Sequence, residues 1–141
     1  MTDLRRFLEA QSKDYKTALF EICQGHKRSH WMWYIFPQID GLGFSTTAKY
    51  YAIKDRQEAT DYIENDTLRK RLVEICEALL ELDTDDASEV MGYPDDMKLR
   101  SSMTLFKCVA PEIDVFQRVL DKFFYGEPDE KTLEILEKDN G

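Results

Sequence analysis

Apolar side chains recur along this chain every three or four residues, and this spacing restricts the fold more than any other feature of the sequence. The clearest run follows Asp66, where six apolar residues fall on one side of a predicted helix: Leu68, Leu72, Ile75, Cys76, Leu79 and Leu80. Such a stripe is stable only when it packs against other helices. The spacing therefore predicts an all-α fold, a compact single-domain multihelical bundle that spans residues 1–141.

Residues that favour helix ends divide the chain into its predicted helices. We expect Thr2 or Asp3 to cap a short first turn, separate from a helix that contains Tyr15 and ends at Gly25. Further helices are predicted to start after Asp55 and at Ser29, Ser45, Asp66, Asp86, Pro94, Pro111 and Asp129. Further ends are predicted at Pro37, Gly92, Ala110 and Gly126. No linker or internal repeat separates these elements, so we expect one domain.

Composition excludes several classes of protein. Hydrophobic residues make up 43% of the chain and charged residues 33%, which is the balance of a packed globular protein. No run approaches the roughly 18 apolar residues that cross a bilayer, and the N-terminal sequence does not resemble a signal peptide. We therefore expect a cytoplasmic protein with no membrane association. Three widely spaced cysteines, predicted to be buried thiols, indicate neither a disulfide framework nor a zinc site: Cys23, Cys76 and Cys108.

The formal net charge of −9 opposes binding to nucleic acid or anionic lipid, because such binding depends on Lys and Arg. The charge is unevenly distributed, however. Residues 16–54 carry five basic and two acidic side chains, and residues 97–107 carry three basic side chains and no acidic one. Two basic regions in an acidic protein favour a small anionic ligand as the partner.

The first unusual segment is rich in aromatic residues and is called here the aromatic segment (residues 25–51). Seven of the 17 aromatic residues in the chain, including both tryptophans, lie within residues 31–51. On a helix that starts near Ser29, Trp31 shares one side with Ile35, whereas His30 and Trp33 point elsewhere. One side is therefore expected to pack against the core while the other lines a cleft. A Gly-x-Gly turn before Ser45 offers free N–H groups, although such a turn is common and is more typical of a connecting loop between helices.

The second unusual segment, residues 98–106, combines two cations with three hydroxyl groups. Helical spacing places Lys98, Ser101 and Ser102 on one face, with Arg100 and Thr104 on the next. Ser and Thr are mediocre helix formers, so local propensity does not account for them. The segment is interpreted either as a surface that donates hydrogen bonds to a ligand or as a polar patch that bonds to a neighbouring loop.

The two histidines give weaker indications. His26 and His30 are four residues apart, but Lys27 and Arg28 between them would repel a divalent cation, so neither a metal nor another cofactor is predicted. His30 remains a candidate catalytic proton-transfer group, because its ordinary pKa lies near neutrality. The alternative is a hydrogen-bonded structural histidine beside tryptophan.

Long stretches of the sequence resemble a known family. Residues 29–38 read Ser-His-Trp-Met-Trp-Tyr-Ile-Phe-Pro-Gln, residues 41–45 read Gly-Leu-Gly-Phe-Ser, and residues 95–106 read Asp-Asp-Met-Lys-Leu-Arg-Ser-Ser-Met-Thr-Leu-Phe. Over nearly the whole chain these elements closely resemble the bacterial family known as domain of unknown function 1810. The resemblance implies a compact multihelical fold and no established activity. Members are sometimes labelled calpastatin, but this sequence is unlike that disordered, repetitive inhibitor.

The favoured functional hypothesis is that the two unusual segments meet across a cleft for a small anionic ligand, such as a nucleotide or sugar-phosphate derivative. Trp33 would stack on a ring of the ligand, and His30 would transfer protons if a reaction follows. The residues predicted to bind the ligand are Lys27, Ser29, Trp33, Gln38, Gly43, Ser45, Lys98, Arg100, Ser101, Ser102 and Thr104.

Two alternatives stay open at the level of sequence. One is an adaptor domain that docks an unspecified protein partner through its Trp-rich surface or its acidic C-terminal third. The other is a structural explanation, in which the unusual residues form a buried polar network that fixes the fold. The sequence does not decide whether the protein is an enzyme.

Overall fold

A computed structural model describes residues 3–139 of the chain and shows an all-helical protein. Nine α-helices lie within these residues and account for every regular element there. They are α1 (Arg5–Cys23), α2 (Met32–Ile35), α3 (Thr46–Tyr51), α4 (Arg56–Glu64), α5 (Asp66–Leu80), α6 (Ala87–Met91), α7 (Asp95–Val109), α8 (Val115–Phe124) and α9 (Glu130–Asp139). The predicted all-α class is therefore confirmed.

Helix α5 packs against α1, α4 and α8. Five of the six residues of its predicted apolar stripe are buried, among them Leu68, Leu72 and Ile75, and the sixth, Leu80, is partly buried. Helix α7 packs against α8 on one side and against α4, α6 and α9 on others. A chain of aromatic contacts runs from α1 through α4 and α7 to α8, formed by Phe7, Tyr62, Phe106 and Phe116.

The predicted caps at Ser45 and Asp86, and the predicted helix start after Asp55, are confirmed by hydrogen bonds. Ser45 Oγ accepts from the N–H of Ala48 (3.0 Å), and the Asp55 carboxylate accepts from the N–H of Glu58 (2.9 Å). Asp86 caps α6, which ends at Gly92. These caps satisfy N–H groups at helix starts that otherwise have no partner.

Several predicted boundaries are wrong. Helix α2 begins at Met32, with Trp31 rather than Ser29 at its N-cap, and Leu4 rather than Asp3 is the N-cap residue of α1. The expected first turn and the helix around Tyr15 are one continuous helix, α1, because its buried side chains follow one stripe from Phe7 onward. Asn65 rather than Asp66 caps α5, through a 3.0 Å hydrogen bond from the N–H of Leu68. Helix α8 begins at Val115 rather than at Pro111. Thr2, the other expected cap, lies outside the described residues.

The long connection between α2 and α4 is held by backbone pairing. The N–H of Ile53 donates to the carbonyl of Gln38 (2.8 Å), and the N–H of Asp40 donates to the carbonyl of Ile53 (2.8 Å). Ile39 and Ile53 form an isolated parallel bridge here, and both side chains are buried. This bridge fixes the backbone that carries Gln38.

Two remaining expectations concern the membrane and the cysteines. Across residues 3–139, no helix combines the length and the apolar content required to cross a bilayer. The cysteines were expected to be buried, but only Cys76 is; Cys108 is partly buried and Cys23 is exposed. Burial raises the pKa of the Cys76 and Cys108 thiols, which disfavours their reactive thiolate forms.

Candidate functional site

The first half of the aromatic segment wraps around a buried carboxylate on α1. Glu21 is 6% exposed and accepts four hydrogen bonds. The donors are the N–H of Arg28 (2.8 Å), the N–H and hydroxyl of Ser29 (3.0 and 2.5 Å), and the indole N–H of Trp31 (2.9 Å). We call Glu21 and residues 28–31 the Glu21 cluster. It fixes the path of the chain between α1 and α2.

The Glu21 carboxylate is held in its charged form. Burial acts to raise its pKa, but the hydrogen bonds from Ser29, Arg28 and Trp31 outweigh this effect and lower the pKa to about 2. A carboxylate that accepts several N–H and O–H bonds is strongly stabilised in the ionised state. The cluster is therefore a satisfied polar site with little capacity left for a ligand.

The two tryptophans, only two residues apart, have different surroundings. Trp31 is 1% exposed and packs in the core with its N–H on Glu21. Trp33 lies on α2 and is only partly buried. The Nζ atom of Lys98, on α7, lies 3.7 Å from the centroid of the Trp33 ring. This cation–π contact joins the aromatic segment to residues 98–106.

Lys98 belongs to a group of three charged side chains in which two ammonium groups share one carboxylate. The Asp95 carboxylate lies 3.1 Å from Lys98 Nζ and 2.9 Å from Lys27 Nζ. Lys27 also donates to the carbonyl of Ser29 (2.5 Å), so its ammonium is held next to the Glu21 cluster. Two ammonium groups and one carboxylate give this group a net charge of +1.

A cavity of about 250 Å³ lies beside Trp33 and Lys98. Its walls come from the aromatic segment, from α7 and its preceding turn, and from the start of α9. The lining residues are Trp33, Gln38, Leu42, Gly43, Pro94, Met97, Lys98, Ser101, Asp129 and Lys131. Five of the predicted ligand-binding residues thus meet around one cavity: Trp33, Gln38, Gly43, Lys98 and Ser101.

The wall formed by the aromatic segment depends on a glycine at position 43. A Cβ atom there would lie 2.7 Å from the Cβ of Ala48, which is closer than real side chains approach. Gly43 is therefore required so that the loop can pack closely against α3. The neighbouring Gln38 is anchored through its backbone, and its side-chain amide forms no hydrogen bond with any residue in the described part of the chain.

The opposite wall contains charged groups of both signs. The Asp129 carboxylate accepts from the N–H (3.0 Å) and the hydroxyl (2.6 Å) of Thr132, as expected of a cap at the start of α9. Lys131 is exposed and forms no ion pair with any residue from 3 to 139. The cavity therefore has two cationic side chains, Lys98 and Lys131, and one carboxylate whose hydrogen-bonding capacity is partly used.

Three of the predicted ligand-binding residues on α7 lie away from the cavity. Arg100 donates to the carbonyl of Glu127 (3.0 Å), and the Thr104 hydroxyl donates to the carbonyl of Arg100 (2.8 Å) while accepting from the N–H of Asp129 (2.8 Å). Ser102 is fully buried, and its hydroxyl has no partner in the described structure. Arg100 and Thr104 thus tie α7 to the chain that leads into α9, which agrees with the interpretation as a patch that bonds to a neighbouring loop, whereas Ser102 makes no such bond.

Four further predicted residues also lie outside the cavity lining. Lys27 and Ser29 are engaged by Asp95 and Glu21, and Ser45 caps α3. His30 is exposed and has no hydrogen bond or ion pair among residues 3–139, so it is not placed to exchange a proton with a group in the cavity. Within the same residues, no three His, Cys, Asp or Glu side chains converge so that they could hold a metal ion.

Reasoning from the sequence missed Asp95, Asp129 and Lys131 as members of this region. Asp95 directly follows the predicted helix start at Pro94, and its position there also lets it bridge two lysines. Asp129 was expected only as a helix cap. Lys131 lies on a separate helix, and no motif connects it to Trp33 or Lys98.

Comparisons with known proteins agree with this fold and leave the activity open. The sequence profile described as "Protein of unknown function (DUF1810)" matches residues 1–136. The crystal structure of the conserved hypothetical protein Rv1873 from Mycobacterium tuberculosis is similar at 39% sequence identity and a TM-score of 0.93, with 96% of each chain covered. A comparison with curated proteins finds no match.

Proposed function

We propose that this chain, which belongs to the DUF1810 family of proteins of unknown function, binds a small anionic metabolite in the cavity beside Trp33. The observation that carries the proposal is the position of Lys98. Its ammonium lies against the Trp33 ring, 3.7 Å from the centroid, and lines a cavity that is open to solvent. A cation held in this way is prepared to bind an anion without first ordering a flexible side chain.

The charges around Lys98 support an anionic ligand. Lys27 and Lys98 share the single carboxylate of Asp95, and Lys131 adds a cation with no partner among the described residues. A surplus positive charge in a partly buried site is costly until a negative group compensates for it. A phosphate or carboxylate group in the cavity would supply that compensation.

The hydrogen-bonding groups of the cavity favour a ligand that also carries hydroxyl groups. The Gln38 amide faces no internal partner among residues 3–139 and offers both donors and an acceptor. The Ser101 hydroxyl already donates to the carbonyl of Met97 (3.2 Å), so its oxygen is left to accept. An acceptor next to cations fits a hydroxyl group on a phosphorylated or carboxylated molecule.

Cavity size and the state of Trp33 favour a sugar phosphate over a nucleotide. The volume of about 250 Å³ lies below the range of about 300–1,000 Å³ that holds drug-sized ligands. Lys98 also covers a face of Trp33, so a base could stack there only after displacing the ammonium. Because His30 lies outside the cavity, the proposal is one of binding and includes no catalytic step.

The test is a binding screen with a matched pair of lysine variants. Isothermal titration calorimetry would compare inorganic phosphate, monosaccharide phosphates and nucleoside monophosphates. We expect a monosaccharide phosphate to bind, and Lys98→Gln to weaken it at least tenfold, or about 1.4 kcal/mol. Lys49→Gln removes the same charge from an exposed position outside the cavity and should change the affinity less than twofold. Equal weakening by both variants, or no binding by the parent at millimolar concentrations, would contradict the proposal.

The adaptor hypothesis based on a Trp-rich surface has less support. Trp31 is in the core, and Trp33 is partly buried with Lys98 over one face of its ring, so neither indole is a large exposed apolar anchor. Interfaces depend on exposed aromatic anchors that become buried by the partner. The tryptophans of this chain stabilise the fold and position Lys98 instead.

A further inference from the structure

A second and larger concave surface lies on the other side of Met97. It is a groove of about 750 Å³ between the loop that leads into α6, the first turn of α7 and the end of α8. Met97 lines both this groove and the cavity beside Trp33, and its side chain is exposed. The groove is thus a neighbour of the proposed metabolite site, but it shares only this one residue with it.

The groove is strongly acidic. Four aspartates and a single lysine provide its charged side chains, and they are Asp85, Asp86, Asp96, Asp121 and Lys122. Lys122 is occupied, because its ammonium lies 3.0 Å from Asp85 and donates to the carbonyl of Leu82 (2.8 Å). The other three aspartates have no ion-pair partner in the described part of the chain.

The three unpaired aspartates retain capacity to accept hydrogen bonds. In each, one oxygen is used locally: Asp86 caps α6, Asp96 accepts from the N–H of Met97 (2.9 Å), and Asp121 accepts from the Gln117 amide (2.9 Å). The second oxygen of each carboxylate makes no contact with a described donor. These contacts orient the carboxylates without neutralising them.

One aromatic side chain in the lining of the groove does not pack against the rest of the fold. Tyr125 lines the groove, is 96% exposed and has a backbone φ of +57°. This left-handed conformation favours glycine or asparagine, and a tyrosine there gains nothing from burial in this chain. Phe123 and Phe124 lie next to it in the groove lining. A large exposed ring beside carboxylates suits a cationic group that can stack on it.

We propose that this groove docks a basic segment of a partner protein, one that carries arginine beside an apolar residue. Arginine matches both features of the surface, because its planar guanidinium binds carboxylates in a bidentate manner and stacks on tyrosine. Unpaired aspartates and an exposed ring in the lining of the same groove provide complementary charge and an aromatic anchor. The proposal does not depend on the metabolite site.

Two pairs of substitutions with the same net charge test the proposal. A fluorescein-labelled peptide of eight residues with four arginines and one leucine would be titrated with the protein, and binding followed by fluorescence anisotropy. We expect Asp96→Asn with Asp121→Asn to weaken binding at least tenfold. Glu112→Gln with Glu134→Gln removes two exposed charges away from the groove and should weaken it less than twofold. Circular dichroism would check that each variant is folded.

A third variant separates the aromatic contribution from charge. Tyr125→Asn keeps the net charge and tolerates the left-handed backbone, and we expect it to weaken peptide binding at least threefold. Equal weakening by the two charge pairs would overturn the proposal, since it would show attraction to the acidic protein as a whole. Spermine, a small polycation, would be tested as a competitor of the peptide. If spermine displaces the peptide and binds Tyr125→Asn as tightly as the parent, the proposal would be overturned and a small polycation would be the occupant. Self-association that Asp96→Asn abolishes would identify a second copy of the chain as the occupant instead.

Discussion

The Glu21 cluster and the cavity beside Trp33 adjoin along the aromatic segment, yet their polar groups are used in opposite ways. In the cluster, one buried carboxylate satisfies four donors and leaves none for a ligand. In the cavity, the Gln38 amide and Lys131 have no partner among residues 3–139, and Lys98 shares its carboxylate with a second cation. Under the proposed function, unusual polar residues mark a ligand site where the fold leaves their hydrogen bonds and charges incomplete.

The largest expected effect on stability comes from removing the carboxylate of the Glu21 cluster. Glu21→Ala leaves the buried indole N–H of Trp31 and the Ser29 hydroxyl without an acceptor, and we expect a loss of about 3 kcal/mol in the free energy of unfolding. Chemical denaturation would measure this loss. Glu9→Ala, at an exposed position on the same helix, should cost less than about 0.5 kcal/mol. Similar losses in both variants would remove the distinction between the two regions.

The next largest effect is expected from acid, which should reduce the contribution of the Glu21 cluster to the stability of the fold. The pKa of Glu21 is lowered from 4.5 to about 2, so its contribution to stability is complete above pH 4.5 and is lost as the pH falls toward 2. Thermal unfolding between pH 6 and pH 2 would show this decline. In Glu21→Gln the decline should be shallower, because the titrating group is absent. An unchanged pH profile in that variant would show that other carboxylates cause the acid sensitivity.

A smaller contrast is expected within α7, where one buried hydroxyl is hydrogen-bonded and another is not. Thr104 bonds to other residues, whereas Ser102 has no partner in the described structure. Thr104→Val removes the acceptor for the N–H of Asp129 and should cost about 1–2 kcal/mol in unfolding free energy. Ser102→Ala removes a hydroxyl that has no partner in the described structure and should be neutral or slightly stabilising. Denaturant titration of both variants would measure the difference. Equal costs would mean that the Ser102 hydroxyl has a partner in solution.

The smallest effect on stability is expected for a substitution in the cavity beside Trp33. Lys98→Gln loses an ion pair with Asp95 that Lys27 also satisfies, so the free energy of unfolding should change by less than about 1 kcal/mol. The same variant is expected to bind a sugar phosphate much more weakly. A stability loss as large as that of Glu21→Ala would show that Lys98 is part of the scaffold and would count against the binding site.

The fold was accessible from the sequence because helical periodicity is a local signal. The buried stripe of α5 could be recognised from its spacing alone, whereas the cap at Asn65 and the start of α8 at Val115 depend on packing and were misplaced. Element ends are set by single hydrogen bonds that compete with near-equal alternatives.

The candidate site was accessible only in part, because a helix face does not reveal what packs against it. Helical spacing grouped Ser101 with Ser102, but Ser101 lines the cavity while Ser102 is sealed inside the bundle. Glu21 gave no sequence signal, since its donors lie seven to ten residues later on a separate loop. Lys131 reaches the cavity only through the docking of α9, which is a tertiary contact.

The bond from the N–H of Asp129 to Thr104 also has a consequence for how the protein comes apart. It fastens the start of α9 to α7, and α9 carries the cavity wall that contains Lys131. A metabolite bound between Trp33 and Lys131 would contact two stretches that are distant in the sequence. Its binding would therefore stabilise the docked position of α9, and undocking of α9 would weaken its binding. Occupancy would then be readable as slower proteolytic clipping ahead of α9.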